Sequence, residues 1–287
     1  MKENFVPGRG NLLNRREILF RGGAAALGLT ALTKASPADV LTALWRARRF
    51  DLEAAARLAS FDPFVGFDPD LEAEAEEVLT HVPLAATCTL TCGLTLGPCY
   101  AAAAALTRRD ITAGATGLPV RLGFRIIYAD TCQPVVGATV DVWHTNASGI
   151  YSALTAQVCT TGANVANETW CRGVQSTDGD GIVYFDTVYP GWYSSRTTHI
   201  HMTVRVNGTE FVTSQFPFPD RVSDFVYRKH SLYNTRSLRT TNNTNDGVFS
   251  SSNLQTFMFE TRYKAGQMQV FKTIGIRTST SQTLCAG

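Results

Sequence analysis

Charged residues are scarce in this sequence, and neither sign dominates. Only 17% of the 287 residues are charged, and the formal net charge is +2. Nucleic-acid-binding domains present clustered basic surfaces, so this composition argues against a nucleic-acid partner. Hydrophobic residues make up 44% of the chain, which is enough for a sizeable core and argues against bulk disorder.

The chain also lacks an apolar run that could cross a bilayer. The apolar stretch within residues 22–32 covers about nine residues, whereas a transmembrane helix needs about twenty. It follows Arg15 and Arg16, an order that resembles a twin-arginine signal peptide. The resemblance implies cleavage after Ala35, export to the periplasm or the medium, and no stable membrane anchor. Residues 1–35 carry six positive and two negative charges, so their removal changes the net charge from +2 to −2.

Cysteine, in contrast, is abundant. The chain has seven cysteines, of which three lie close together before the β-rich region (Cys88, Cys92 and Cys99). Disulfides, buried free thiols and a zinc site are all open at this stage. The spacing matches no standard zinc pattern and no fourth ligand follows nearby, so disulfides of an exported protein are favoured. Because the total is odd, at least one cysteine stays unpaired within a monomer.

The chain is predicted to divide into three parts: a signal peptide at residues 1–35, a helical N-terminal segment at 36–82 and a β-sandwich domain at 83–287. Helical spacing covers residues 36–58 and 71–79, and proline-containing breaks separate the two. From about residue 118, short β-runs alternate with turn signals. Strands are predicted at residues 120–128, 138–143, 181–185, 199–206, 211–216 and 267–276. This density of strands predicts a mainly β fold, a sandwich or a barrel.

Two polar segments within this region have a local interpretation. Residues 178–181 have the sequence Asp-Gly-Asp-Gly and predict a hairpin turn. A calcium loop is disfavoured there because a strand begins immediately, leaving no room for the remaining ligands. Residues 240–253 are rich in Asn and Thr and predict a mobile surface loop.

The pattern His-x-His is the first candidate for metal chemistry. His199 and His201 alternate along a predicted strand, which places both imidazoles on one face, about 6 to 7 Å apart. They could bind one metal ion, or they could be hydrogen-bonded strand histidines. No carboxylate stands nearby to complete a two-His-one-carboxylate iron site, and Arg205 occupies the place where a cupin-like site would have Glu. A metal site therefore needs other ligands.

Two tyrosines in turn-rich segments supply such candidates: Tyr151 in Gly-Ile-Tyr-Ser and Tyr193 in Pro-Gly-Trp-Tyr. Together with the motifs around them, at residues 95–100, 143–152, 177–181 and 190–201, they occur in an order that resembles the intradiol ring-cleavage dioxygenases. The resemblance extends from about residue 94 to residue 276 and implies the β-sandwich core of that family. Only two residues separate Tyr193 from Arg196, which suggests a more open site than in the cytosolic catechol and protocatechuate enzymes.

The resemblance also implies a ligand set and a reaction. Tyr151, Tyr193, His199 and His201 would bind a ferric ion, Fe(III), whose charge two tyrosinates and a hydroxide would balance. Tyr193 would be displaced by the substrate and act as a base. Further implied residues are Arg196 beside the substrate and Gln215 as a polar residue behind the ligands. The implied reaction is cleavage of a catechol by O2 to a muconate-type dicarboxylic acid.

A non-catalytic alternative remains open from the sequence alone. Residues 130–140 and 177–193 have the residue spacing of transthyretin-like and carboxypeptidase-regulatory modules, which are β-sandwiches without enzymatic activity. Such modules lack the two tyrosines and the His-x-His motif that this chain combines. The complete set favours an enzyme.

Overall fold

The computed structural model describes residues 71–80, 88–102, 106–249, 253–264 and 266–285. All described residues belong to one compact unit. The predicted signal peptide at 1–35 and the predicted helix at 36–58 therefore lie outside the described residues.

Strands dominate the described part of the chain, which contains eight of them and four short helices. In chain order the elements are α1 (Glu72–Val78), β1 (Pro119–Tyr128), β2 (Thr139–Trp143), α2 (Gln157–Thr160), β3 (Arg172–Ser176), β4 (Ile182–Val188), β5 (His199–Val206), β6 (Thr209–Pro217), α3 (Asp220–Lys229), α4 (Leu254–Phe257), β7 (Glu260–Lys264) and β8 (Gln267–Ile276).

The strands form two four-stranded sheets, in the orders β4-β1-β8-β7 and β3-β2-β5-β6. The second sheet is antiparallel throughout, whereas β1 pairs in parallel with β8 in the first. Alternate residues of both sheets, such as Leu122 and Phe124 on β1 and Ile200 and Met202 on β5, belong to one buried core. The predicted mainly β fold is confirmed. Because side chains alternate along a strand, the other residues of β5 lie on the opposite face of their sheet.

Strand prediction succeeds where apolar residues alternate and fails elsewhere. The predicted strands 199–206 and 267–276 coincide with β5 and β8. Two strands were not predicted: β3 (Arg172–Ser176) and β7 (Glu260–Lys264), which are rich in polar residues. Helix α3 was also not predicted. It follows Pro219, begins with an acidic residue and ends with two basic ones, as the helix dipole favours.

The prediction of a hairpin at residues 178–181 is wrong. These residues do form a tight turn, in which Gly181 N–H donates to the Asp178 carbonyl at 3.0 Å. The strands on either side, β3 and β4, belong to different sheets. Turn chemistry fixes the local reversal of the chain but not the pairing partner, so the segment carries the chain from one sheet to the other.

The predicted surface loop at residues 240–253 is only partly exposed in the residues described there. Thr241, Asn243 and Asp246 are buried, and Asn243 Nδ2 donates to the Phe218 carbonyl at 2.8 Å. Polar composition suggested exposure, but these side chains are turned inward, where they satisfy buried backbone groups.

The cysteines form three disulfides in the described residues, Cys88–Cys132, Cys92–Cys285 and Cys99–Cys159, and the remaining Cys171 is buried as a free thiol. Disulfide formation is thereby confirmed and the zinc alternative is wrong, because the three clustered cysteines belong to three different bonds. No helix of the described chain is long and apolar enough to cross a membrane.

Candidate metal centre and substrate cavity

The two histidines of β5 lie side by side on the face of the sheet that points away from the core. His199 Nε2 and His201 Nε2 are 3.0 Å apart. Because a carbonyl can only accept, the 2.6 Å contact between His199 Nδ1 and the Thr197 carbonyl fixes the proton of His199 on Nδ1. Its Nε2 therefore presents a lone pair to the site. The ring of His201 stacks on Trp143 with centroids 4.9 Å apart.

Two loops, one after β2 and one before β5, supply the two tyrosines, and glycines allow these loops to touch backbone to backbone. A Cβ added to Gly149, which has φ +79, would lie 2.1 Å from the Trp192 carbonyl oxygen. A Cβ added to Gly191 would lie 2.2 Å from the Ala147 carbonyl oxygen. Any other residue would push the loops apart. The glycines of the two tyrosine motifs thus bring the tyrosines together.

The four side chains converge on one point. Tyr151 Oη lies 3.4 Å from Tyr193 Oη, which lies 3.3 Å from His199 Nε2. Donor atoms that bind one metal at about 2.1 Å are about 3.0 Å apart at right angles and about 3.4 Å apart at tetrahedral angles. The separations, including the 3.0 Å between His199 Nε2 and His201 Nε2, fit a single ion with four protein ligands. In the part of the chain that the structure describes, no group of three or more His, Cys, Asp or Glu is placed to hold a metal.

Burial sets the protonation of these groups. Desolvation, and then the positive charge of Arg196, hold the pKa values of His199 and His201 well below the usual 6.5. Both imidazoles are therefore neutral at pH 7 and can bind a metal. Burial raises the pKa of Tyr151 and of Tyr193 above 10, although Arg196 opposes the rise. A cation at the centre is needed to make both phenols anionic at neutral pH.

A cavity of about 510 Å³ opens beside the four side chains. Its lining includes Tyr193, Arg196 and His201, together with residues 97–99 and with Gln157 and Val158 of α2. Tyr193 is only partly buried, whereas Tyr151 is 1% exposed and does not line the cavity. A ligand entering the cavity therefore meets Tyr193 and not Tyr151.

The two remaining predicted site residues lie next to this cluster and contact each other. Arg196 Nη2 donates to Gln215 Oε1 at 2.5 Å, and Gln215 Nε2 donates to the Thr95 carbonyl at 2.6 Å. The structure thus brings together all six side chains singled out in the sequence. Their roles as metal ligands, base and charge stabiliser remain predictions.

Two charged residues at the site were not predicted from the sequence. Arg172 is buried with its guanidinium over the Tyr151 ring, 5.8 Å from the centroid, and it donates to the carbonyls of Ser152 and Cys99. Asp246 forms an ion pair with Arg196. Neither lies in a segment with a catalytic motif, and Asp246 is 50 residues from its partner in the chain, so no local pattern marks them.

Comparison with known proteins agrees with this architecture. A family model described as Dioxygenase matches residues 96–226. The solved intradiol ring-cleavage dioxygenase from Tetranychus urticae is 27% identical, with a TM-score of 0.60, over 69% of this chain and 99% of that one. A second solved dioxygenase is 26% identical, with a TM-score of 0.58, over 66% of this chain and 95% of that one. No sequence among the curated proteins matches. These matches confirm the resemblance to the intradiol ring-cleavage dioxygenases that the order of the motifs indicates.

Proposed function

We propose that this enzyme uses Fe(III) and O2 to cleave a catechol-type aromatic diol between its two hydroxylated carbons, giving a muconate-type dicarboxylic acid. The observation that carries the proposal is the cluster of two phenol oxygens and two imidazole nitrogens beside a cavity, in which successive atoms are 3.0 to 3.4 Å apart. The alternative of a non-catalytic β-sandwich module is disfavoured, because a dioxygenase family model matches residues 96–226 and such modules lack this donor set.

The donor set suits a ferric ion. Tyr151, Tyr193, His199 and His201 would hold it, and hard anionic phenolate oxygens favour Fe(III) over Fe(II). Two phenolates and one hydroxide neutralise three positive charges, so the centre can exist in a buried position without a further counterion. When bound, the ion supplies a Lewis acid that chelates both oxygens of the diol and makes the ring reactive towards O2.

Tyr193 is suited to take a proton from the diol. It lines the cavity, so an incoming diol can replace it, whereas Tyr151 is buried and does not line the cavity. Because burial raises the pKa of Tyr193 above 10, its phenolate is a strong base once released. Tyr193 Oη would then accept the proton of one diol hydroxyl, while Tyr151 stays in place as an anchor.

Arg196 is suited to stabilise negative charge on the substrate. Its guanidinium lines the cavity close to Tyr193, on which its charge acts directly. A guanidinium keeps its charge at any relevant pH and offers donors in a fixed plane. The carbon of the diol ring that reacts with oxygen gains negative charge, which a fixed cation beside it would lower in energy.

The experiment that tests this proposal follows both atoms of O2 into the product. The iron-loaded protein is incubated with catechol and ¹⁸O2, and the product is examined by mass spectrometry. We expect one O2 consumed per catechol and both labelled atoms in a ring-opened dicarboxylic acid. Tyr151→Phe is the matched control, because it keeps the ring packing but removes one ligand oxygen. Absence of oxygen uptake, or a ring opened outside the two hydroxylated carbons, would contradict the proposal.

We also propose that the protein is exported by the twin-arginine route to the periplasm or the medium. Two observations support export: the order of Arg15, Arg16 and the apolar stretch after them, and the three disulfides of the described chain. This route carries folded proteins, which suits a protein that binds its metal before export.

A further inference from the structure

Arg196 is held by a buried carboxylate from a distant part of the chain. Asp246 lies between α3 and α4, and its side chain is 0% exposed. Its Oδ2 accepts hydrogen bonds from Arg196 Nε at 2.9 Å and from the Thr197 backbone N–H at 2.7 Å. Its Oδ1 accepts from the Val248 backbone N–H at 2.8 Å. A buried charge needs this degree of compensation, and here the compensating charge is Arg196 itself.

The guanidinium is thereby fixed at two points. Asp246 binds its Nε edge, and Gln215 accepts from Nη2. Since the guanidinium is planar, two contacts at different nitrogens set the orientation of the whole group. The ring of Phe249 lies beside it, 6.0 Å from the guanidinium carbon to the ring centroid. An arginine without such contacts would sample many rotamers.

The same segment also holds the residue next to Arg196. Thr197 Oγ1 donates to Asn243 Oδ1 at 2.7 Å, and Asn243 Nδ2 donates to the Phe218 carbonyl at 2.8 Å. Thr197 in turn presents the carbonyl that fixes the ring of His199. Residues 243–248 therefore support the backbone between the base and the histidines as well as the guanidinium.

Resting on the function proposed above, we propose that Asp246 is a positioning residue that holds the Arg196 guanidinium beside the bound diol. It acts through Arg196 and does not line the cavity. With the guanidinium fixed in advance, little reorganisation is needed when negative charge develops on the substrate.

Asp246→Asn is the first test. One amide offers a single acceptor oxygen, so Asn cannot accept on both sides as the carboxylate does. We expect kcat/KM for catechol to fall about 10- to 100-fold, mainly through kcat, while iron content and the visible spectrum stay as in the wild type. Asp224→Asn is the matched control, because Asp224 lies on the nearby helix α3 and pairs with Arg239 instead of Arg196. It should keep wild-type activity.

A double-mutant cycle separates positioning from general support of the fold. Asp246→Asn is compared in the wild type and in Arg196→Leu. If Asp246 acts through Arg196, it has almost no effect on kcat/KM once Arg196 is absent. Equal losses in both backgrounds, or an unchanged kcat/KM in Asp246→Asn, would overturn the proposal. If Asp246→Asn does not fold, Asp246→Glu keeps the charge and both acceptor oxygens, and we expect the same cycle to give a smaller loss of the same kind.

The same four proteins without metal give a readout that is independent of turnover. Their urea midpoints should show a non-additive effect of Asp246→Asn and Arg196→Leu, because the two side chains form one buried ion pair. If the wild type turns over no catechol while this coupling is present, the proposed function fails and the contact stands. If catechol is turned over without coupling in kcat/KM, the positioning role fails and the function stands.

Discussion

His199 and His201 share a strand face but are fixed by different means. His199 is oriented by the hydrogen bond from Nδ1 to the Thr197 carbonyl, whereas His201 is oriented by stacking on Trp143. Within the described residues, Nδ1 of His201 has no hydrogen-bond partner. Both arrangements leave Nε2 facing the two tyrosines, so one ring depends on the backbone before β5 and the other on the packing of β2.

Replacement of Arg196 by Leu should separate metal binding from catalysis. The metal would be held by Tyr and His side chains, so we expect iron content to stay unchanged, while kcat/KM for catechol falls about 100- to 1000-fold because charge on the substrate loses its stabilising cation. Steady-state kinetics and iron analysis measure the two quantities. Arg109→Leu is the control, since Arg109 is exposed and pairs with Asp186. Unchanged turnover in Arg196→Leu would remove the residue from the mechanism.

Two loops and one disulfide assemble the site around β5. The glycine-mediated contact between the tyrosine loops sets the distance between the phenols. The Cys99–Cys159 disulfide joins the cavity-lining segment 97–99 to helix α2. Helix α2 in turn contacts Tyr151, whose backbone N–H donates to the Cys159 carbonyl at 3.0 Å. The disulfide therefore connects the cavity wall to the segment that carries Tyr151, a proposed metal ligand.

Removal of this disulfide should affect the site, whereas removal of a remote one should affect stability alone. The bonds Cys99–Cys159 and Cys88–Cys132 close loops of 60 and 44 residues, so replacing either pair by Ser should lower the free energy of unfolding by a similar amount, about 4 kcal/mol. Only the first replacement should also raise KM for catechol and weaken iron binding. Urea titration, kinetics and metal analysis test this expectation. An equal effect of both replacements on KM would contradict it.

Much of this arrangement could be predicted from the sequence, because it depends on patterns only a few residues long. Strand β5 and the pair His199 and His201 follow from alternation, and the tyrosines follow from motifs a few residues long. The position of Asp246 depends on how a distant polar segment folds inward, and β3 has no alternating pattern. Disulfide formation was predictable from cysteine abundance, but the pairing depends on the three-dimensional fold.

The described part of the chain is a sandwich whose buried polar groups make it sensitive to acid. His144 is fully buried, with Nδ1 donating to the Thr145 carbonyl and Nε2 accepting from Thr187. Burial lowers its pKa to about 4. Below the unfolded-state value of about 6.5, the unfolded chain takes up a proton that the folded chain does not. The contribution of His144 to stability is therefore complete above pH 6.5 and decreases as the pH falls towards 4.

Metal-free protein should show this loss directly. Between pH 6.5 and pH 4 we expect His144 alone to remove roughly 3 kcal/mol from the free energy of unfolding, because each pKa unit corresponds to about 1.4 kcal/mol. Urea titrations at several pH values measure the free energy of unfolding, and hence its change per pH unit, for the wild type and for His144→Gln. The variant should lose less stability per pH unit, and identical slopes would show that His144 does not take part.

Export is tested on the intact chain. Replacing Arg15 and Arg16 together by Lys should keep the protein in the cytoplasm, because the transport machinery recognises the arginine pair. Cell fractionation with immunodetection measures the distribution, and Arg9→Lys is the control. Normal export of the double variant would exclude the twin-arginine route.

Tyr151 and Tyr193 are proposed to bind Fe(III) together with His199 and His201. The most direct measurement is the visible absorption spectrum of the iron-loaded protein, before and after catechol is added without oxygen. We expect a broad band from charge transfer between tyrosinate and Fe(III), a shift of this band on adding catechol, and a weakened or displaced band in Tyr151→Phe. A protein that stays colourless after iron loading would contradict the account.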